Sequence, residues 1–420
     1  MKKHVVWCFI IFMILVSFAD VLAQSNNFNG KTITLLIHPT LYQAAGGDNG
    51  IVKEFEKKTG ATVNVVKATS PEHTQKAMLD FISKMGAYDV INIGASELSP
   101  EFCNNFVPLD DYILANPDYD FKDFLEGVAV VGKYNGKQIA VPYRTAQLLT
   151  YYRSDLFSSK GLKIPDDWDK VYDIAKALSQ DTNGDGKIDI YGFAAAGKAP
   201  AELAQAWLNP FYGYGGLFVQ KNGRSGFDSE AGIKAAKLWA RLYRDGVFPA
   251  DFFAWGRDEM INAMAQGRLA FGHFTASYYG NFFSDGITKN QIGFAPLPKN
   301  RNRANGWYLA INKYSKNPDL AWELIMALTN KENSLREATL WSNSPARIST
   351  YKNEKYRALW PQANEMLIAT DNCVSEPPSK NISLMFEAIS EEVTYIMQGS
   401  KTAEIGMADL ASRVDELLGF

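Results

Sequence analysis

Histidine and cysteine are scarce in this chain, four and three respectively in 420 residues. His4 and Cys8 fall within the first two dozen residues, leaving His38, His73, His273, Cys103 and Cys373. These show no CxxC pair and no zinc-type spacing, which argues against a His- or Cys-rich catalytic metal centre. Cys103 and Cys373 lie far apart in sequence. An oxidising compartment would let them pair, and sequence leaves the bonded and unbonded forms both open. Basic stripes and clusters are missing, so nucleic acid is not an expected partner. Repeats, heptads and low-complexity tracts are missing as well. Beyond the N-terminus, no apolar run reaches the roughly 20 residues that cross a bilayer.

The one long apolar run is N-terminal. Lys2 and Lys3 precede Val5 to Phe18, and Val21-Leu22-Ala23 supplies small or modest residues before Gln24. That order predicts a secretory signal peptide over 1–23. At about 14 residues the run is short for an anchor, and Ala23-Gln24 lacks the cysteine of a lipoprotein site. The expectation is an exported, periplasmic protein with no lipid anchor. Without the leader, 41 basic and 45 acidic residues leave a net charge of −4. The remaining length suffices for two domains with separate cores. Aromatics reach 13%, with 9 Trp and 20 Tyr, a content that suits ring stacking on a ligand as well as core packing.

Periodicity predicts a buried strand over 31–38, a Gly-rich loop over 39–49, and a helix over 51–59 closed by Gly60. A strand over 62–66, a helix over 71–85 and a strand over 88–93 follow. This β-loop-α-β-α-β order is that of an α/β domain with a largely parallel sheet. Further strands are expected at 138–142, 147–152, 190–194, 269–273, 292–298 and 307–311. Helices are expected at 168–179, 201–208, 229–245, 257–266, 318–328, 331–339, 357–369, 381–398 and 402–418.

Five blocks then occur in an order that resembles one known family. They are Asn135 to Tyr143 (NGKQIAVPY), Tyr152 to Phe157 (YRSDLF) with Gly161, Pro165 and Trp168, Met264 to Phe271 (MAQGRLAF), Ile292 to Pro298 followed by Gly306-Trp307 and Ala310-Ile311, and Ser315 to Pro318 ahead of Ala321-Trp322. The chain resembles the extracytoplasmic solute-binding proteins of ABC importers that include maltose-binding protein. The resemblance spans essentially the whole mature chain. It implies two discontinuous α/β domains joined by a hinge, with a ligand cleft between them. The implied lobes are 24–146 with 306–345, and 147–305 with 346–420. The crossings fall near Thr145 to Leu149 and at Asn305-Gly306. The implied partners are a sugar or related small molecule and the transmembrane subunits of an ABC permease. The protein is implied to be a monomer that needs no cofactor.

A sugar exposes hydroxyls at its rim and C–H patches on its faces, so a site for one combines aromatic rings with polar groups. Trp307, beside the second crossing, and Phe274, where the maltose branch places a stacking Trp, are candidate stacking residues. Tyr42, Trp207 and Trp255 lie in or beside loops. Glu97 follows the strand ending at Ile93, at the end where open α/β sheets bind ligand. Tyr143 and Arg144 lie at the first crossing, and Arg347 follows Ser344-Pro345-Ala346. An arginine fork can bridge two hydroxyls, a carboxylate or a phosphate. For each candidate, core packing or an ordinary salt bridge is the alternative. His38 and His273 also fall near the expected cleft. Separately, Asp181, Asn183, Asp185, Lys187 and Asp189 occupy positions 1, 3, 5, 7 and 9 of a calcium-type loop. Position 12 is Gly192 instead of Glu, with Glu202 as a candidate replacement. A structural calcium ion and an Asx-rich turn are both open. A secreted glycoside hydrolase would need two carboxylates across a cleft, and sequence indicates no partner for Glu97. The same fold could also take a polyol, a sugar phosphate or another small anion.

Overall fold

The computed structural model describes residues 28–420, apart from 70–71, 283–290, 302, 304, 371, 375 and 378. The expected leader lies outside the described residues. Eleven strands are described: β1 (Thr32–Ile37), β2 (Thr62–Lys67), β3 (Val90–Gly94), β4 (Lys133–Tyr134), β5 (Lys137–Gln138), β6 (Val141–Thr145), β7 (Leu148–Arg153), β8 (Tyr191–Ala194), β9 (Leu269–Thr275), β10 (Ile292–Ala295) and β11 (Gly306–Ile311). They form a five-stranded sheet in the order β2-β1-β3-β11-β6, a four-stranded sheet in the order β10-β7-β9-β8, and the small β4-β5 hairpin. In the first sheet β1 is parallel to β2 and β3, while β11 runs antiparallel to β3 and β6. Chain direction therefore brings the C-terminal ends of β1, β3 and β6 to the same edge as the start of β11.

Local chemistry explains these elements. Ile33, Leu35, Leu36 and Ile37 of β1 are fully buried, the near-continuous apolar run of a strand covered on both faces. The helix Ile51–Thr59 buries Ile51, Val52, Phe55 and Thr59, and Gly60 stops it at φ +71°, a conformation that costs little without a Cβ. The Gly-rich stretch expected as loop holds a short helix, Pro39–Ala44. His38 caps it by accepting from the Thr40 amide, and Pro39 opens it, the preferred place for proline in a helix. The strand expected at 138–142 lies at 141–145, because Lys137–Gln138 pairs with Lys133–Tyr134 instead. The helix expected at 357–369 is split into Glu354–Leu359 and Ala363–Ala369.

The chain leaves the first sheet at Thr145 and enters the second at Leu148, then returns between β10 and β11. The late helices divide. Pro318–Thr329 packs beside Ile51–Thr59 on the first sheet. Ile382–Met397 and Ala403–Leu418 pack with Ala201–Gly213 and Glu230–Arg244 beside the second sheet. Trp168, Trp207 and Trp239 in that second core are each at most 1% exposed. At about 150–250 Å² buried per ring and about 25 cal/mol per Å², each contributes on the order of 4–6 kcal/mol before entropy is counted. Among the described residues, no helix is long and apolar enough to cross a membrane.

Candidate functional site

One open cavity, about 870 Å³ of empty space including its mouth, lies where the second sheet meets the crossing segments. Its floor comes from the end of β9 (His273, Phe274, Thr275) and the residues just after β8 (Ala195, Ala196). Glu202, Gln205, Ala206 and Asn209 form one wall. They recur at i, i+3, i+4 and i+7 along the helix Ala201–Gly213, so they share one face. Leu203, Ala204, Trp207, Leu208 and Phe211 are buried on the core side of the same helix.

Aromatic rings close the cavity. Trp168 meets His273 edge-on at 5.1 Å between centroids, and Phe193 lies 5.2 Å from the same imidazole. Trp239, Phe274 and Tyr278 add to the lining. Burial pushes the His273 pKa down to about 3, so this imidazole is neutral at physiological pH. The seat of Trp168 depends on Gly213: a Cβ there would collide with Trp168 Nε1.

Four shielded polar atoms of lining residues lack a hydrogen-bond partner among the described residues: Trp168 Nε1, Trp239 Nε1, Asn209 Oδ1 and His273 Nε2. A buried polar group without a partner costs about 1–3 kcal/mol, and four such atoms belong to residues that line this one cavity. The nearby charges are paired. Arg257 Nη2 stands 3.9 Å from Glu202 Oε1, and Arg303 Nε lies 2.6 Å from Glu376 Oε1.

Beyond the crossing residues Ala146 and Asn305, which line the cavity, lies the edge of the first sheet. Trp307 pairs with Gly94 on one side and Arg144 on the other, with a register shift after it. The His38 ring lies 5.4 Å from the Trp307 ring. Glu97 ends the turn after β3, where it accepts from the Gly94 amide (2.9 Å) and the Thr74 hydroxyl (3.3 Å). Burial lowers the His38 pKa, and the Arg144 charge lowers it further. Burial also lowers the Arg144 pKa, opposed by Tyr278, Tyr143 and Glu337. Tyr278 lines the cavity, so cavity and sheet edge meet there electrostatically. They also meet through the backbone, where the Ala146 amide donates to the Asn305 carbonyl (3.0 Å).

Of the nine ligand candidates, Phe274 lines the cavity, and Glu97, Arg144 and Trp307 share the sheet edge. The structure places the others differently. Arg347 is fully buried, donating to the carbonyls of Thr329 (2.5 Å), Asp120 (3.0 Å) and Tyr119 (3.0 Å) and pairing with Asp123 at 3.4 Å. It is a core clamp. Tyr143 is buried and donates to Leu41 O and Glu337 Oε1, because alternation along β6 turns it away from the face of Arg144. Trp207 stacks on Phe211 at 5.4 Å in the core, one helical residue away from the cavity face. Tyr42 is 5% exposed, with its hydroxyl donating to Asp48. Trp255 is 5% exposed, with Nε1 donating to Asp251. Trp168, Trp239, Asn209, Arg257 and Tyr278 were not foreseen. The polar positions Glu202, Gln205 and Asn209 at helical spacing are the available signal.

In the 181–189 loop, the carboxylates serve the loop itself. Asp181 accepts from the amides of Gly184 (2.7 Å) and Gly186 (2.8 Å), and Asp189 accepts from Thr182 N (2.8 Å) and Oγ1 (2.6 Å). Asn183 and Asp185 accept from the amides of Asp185 and Lys187. Gly192 brings no side-chain oxygen, and Glu202 is committed to the Arg257 amide (3.0 Å). No group of three or more His, Cys, Asp or Glu among the described residues is arranged to hold a metal. Cys103 and Cys373 form no disulfide with each other. Their thiols donate to the carbonyls of Leu98 and Ala369.

Comparison with known proteins places this geometry. Across the curated proteins, the chain is 25% identical over 378 residues to a probable amino-acid ABC transporter periplasmic-binding protein of Sinorhizobium fredii, covering 88% of this chain and 85% of that one. Among solved structures, it is similar to the sugar-binding protein MalE of Xanthomonas citri, with a TM-score of 0.80, 20% identity, and coverage of 92% of this chain and 97% of that one. It is also similar to an ABC transporter solute-binding protein of Agrobacterium radiobacter in complex with ribitol, with a TM-score of 0.76, 19% identity, and coverage of 93% and 99%. A family description, bacterial extracellular solute-binding protein, matches residues 42–334. With two α/β lobes around an aromatic cleft and that match over most of its length, the chain belongs to the bacterial extracellular solute-binding protein family.

Proposed function

We propose that this protein is the periplasmic capture subunit of an ABC importer, binding a sugar or polyol in the cleft and delivering it to the membrane subunits without chemical change. The observation that carries the reading is the aromatic cavity with its four unpartnered polar atoms. Rings take the C–H faces of a polyhydroxylated guest, and indole N–H, imidazole and amide groups take its hydroxyls. The first lobe runs to 146 and takes up 306 to beyond Arg347, which is clamped on Tyr119, Asp120 and Thr329 in place of the expected end at 345; the second is 147–305 with the helices Ile382–Met397 and Ala403–Leu418. Their hinge is the bundle of crossing segments. Thr145 N donates to Ser344 O (3.1 Å), Thr145 Oγ1 to Pro345 O (3.0 Å), and Gln147 Nε2 to Tyr351 Oη (2.8 Å). Closure about such a hinge shifts only if the guest binds the closed form better.

A thermal-shift screen over mono-, di- and trisaccharides and linear polyols tests this. A true solute at about a hundredfold excess over its Kd stabilises the fold by about 2.7 kcal/mol. At least one compound is expected to raise Tm clearly, and a flat response to the whole panel would sink the proposal. Incubation with oligosaccharides is expected to release no product.

A further inference from the structure

Arg303 lines the cavity from the crossing segment between β10 and β11 and is 7% exposed. Three contacts fix it. Its Nε donates to Glu376 Oε1 at 2.6 Å, its backbone bridges to Val374, and the Phe386 ring lies 5.7 Å from its guanidinium carbon. Glu376 is itself 6% exposed and also accepts from the Tyr212 hydroxyl at 3.2 Å. The ion pair therefore aims the guanidinium and balances its charge, and it uses only Nε. Neither Nη1 nor Nη2 bonds to a described residue, and neither is among the shielded unpartnered atoms. The part of this deeply set side chain that stays open to the cavity is its pair of amino groups.

A guest that expels water from the cavity leaves those amino groups without acceptors unless it brings its own, and unmet donors are unfavourable. A planar fork with both ends open calls for two acceptors side by side. Adjacent hydroxyl oxygens of a sugar or polyol answer that geometry, and hydrogen bonds from a charged donor are the stronger kind. An anionic head finds the charge already balanced by Glu376. Resting on the reading of the cleft as a sugar or polyol site, we infer that Arg303 is a specificity-determining residue whose two Nη groups receive a vicinal pair of hydroxyls on a neutral solute. Glu376 is the positioning residue behind it. The rings of Trp168, Trp239 and Phe274 in the same lining take the C–H faces of that guest.

Calorimetric titration of the protein tests this with D-glucose, D-galactose, D-mannitol, ribitol and maltose, each against its monodeoxy analogues. At least one parent is expected to bind about tenfold or more tightly than the analogue lacking one hydroxyl of the pair. Arg303→Lys keeps a cation for Glu376 and loses the fork, so that ratio is expected to fall towards one. Glu376→Gln reads the same fork from behind: it leaves Arg303 unbalanced, and D-gluconate, expected to bind no more tightly than sorbitol in the unaltered protein, is expected to gain on sorbitol several-fold. Circular dichroism and melting establish that the variants fold. Parents and analogues binding alike, equal weakening of both in Arg303→Lys, or D-gluconate outcompeting sorbitol in the unaltered protein would each overturn the inference and leave solute capture standing. Absence of binding by all five parents would overturn both.

Discussion

The regions around Arg347 and Arg144 each draw an arginine away from bulk water, and they resolve the demand in opposite ways. Around Arg347 the chain supplies everything: three carbonyls, the Asp123 carboxylate, and the Phe124 ring 4.0 Å from the guanidinium carbon. Around Arg144 the chain supplies position and withholds partners. The same contrast separates Tyr143, whose hydroxyl has two acceptors, from Trp239, whose buried Nε1 has none among the described residues. A polar group satisfied internally belongs to the fold. One left open beside a cavity is where a guest would act.

The sharpest test of that contrast is stability. Arg347→Met removes the clamp and strands its acceptors, and urea denaturation is expected to show a loss of about 3–5 kcal/mol. Arg144→Gln is expected to stay within about 1 kcal/mol of the parent. Equal losses would erase the distinction.

Acid provides the next test. The unfolded imidazole of His273 takes up a proton below pH 6.5, while the folded one resists until about pH 3. Unfolding therefore binds a proton across that window, and stability falls as pH drops through it. The loss approaches a few kcal/mol at the acid end. His273→Asn is expected to flatten that part of the pH–stability curve, and an unchanged curve would remove His273 from the neutral wall.

A smaller effect is expected at Gly213. Gly213→Ala forces Trp168 from its seat, lowering stability by about 1–3 kcal/mol and weakening solute binding by calorimetry. Unaltered affinity would show that the guest does not use Trp168. Smallest is the 181–189 loop, which satisfies its own carboxylates. Millimolar calcium and EDTA are expected to give melting temperatures within about 1 °C of each other, and a clear rise with calcium would break the comparison there.

The fold was largely legible because burial leaves periodic traces. The β1 run, the 51–59 helix with its Gly60 stop, and the two late helices all stand within two residues of their expected bounds. The cavity was legible only in part. Phe274, which lines the cavity, follows from a strand end, as do Glu97, Arg144 and Trp307 on the sheet edge beside it. Trp207 and Arg347 were misread for one shared reason: residue type and proximity to a loop do not say which way a side chain points. In the helix Ala201–Gly213, the face is decided by the core that Leu203, Leu208 and Phe211 enter, and only then does Asn209 reach the cavity.

Sequence alone determined the shortage of cysteine and histidine, the alternation of strands and helices, and the five ordered blocks, since these depend on local propensity and on patterns repeated along the chain. Tertiary structure decided which arginine is clamped and which is left open. It also seated Trp168 against Gly213 and gathered Trp239, His273 and Asn209 around one cavity. Those outcomes rest on contacts between segments far apart in sequence, whose partners are settled only when the two sheets and the crossing chain pack together.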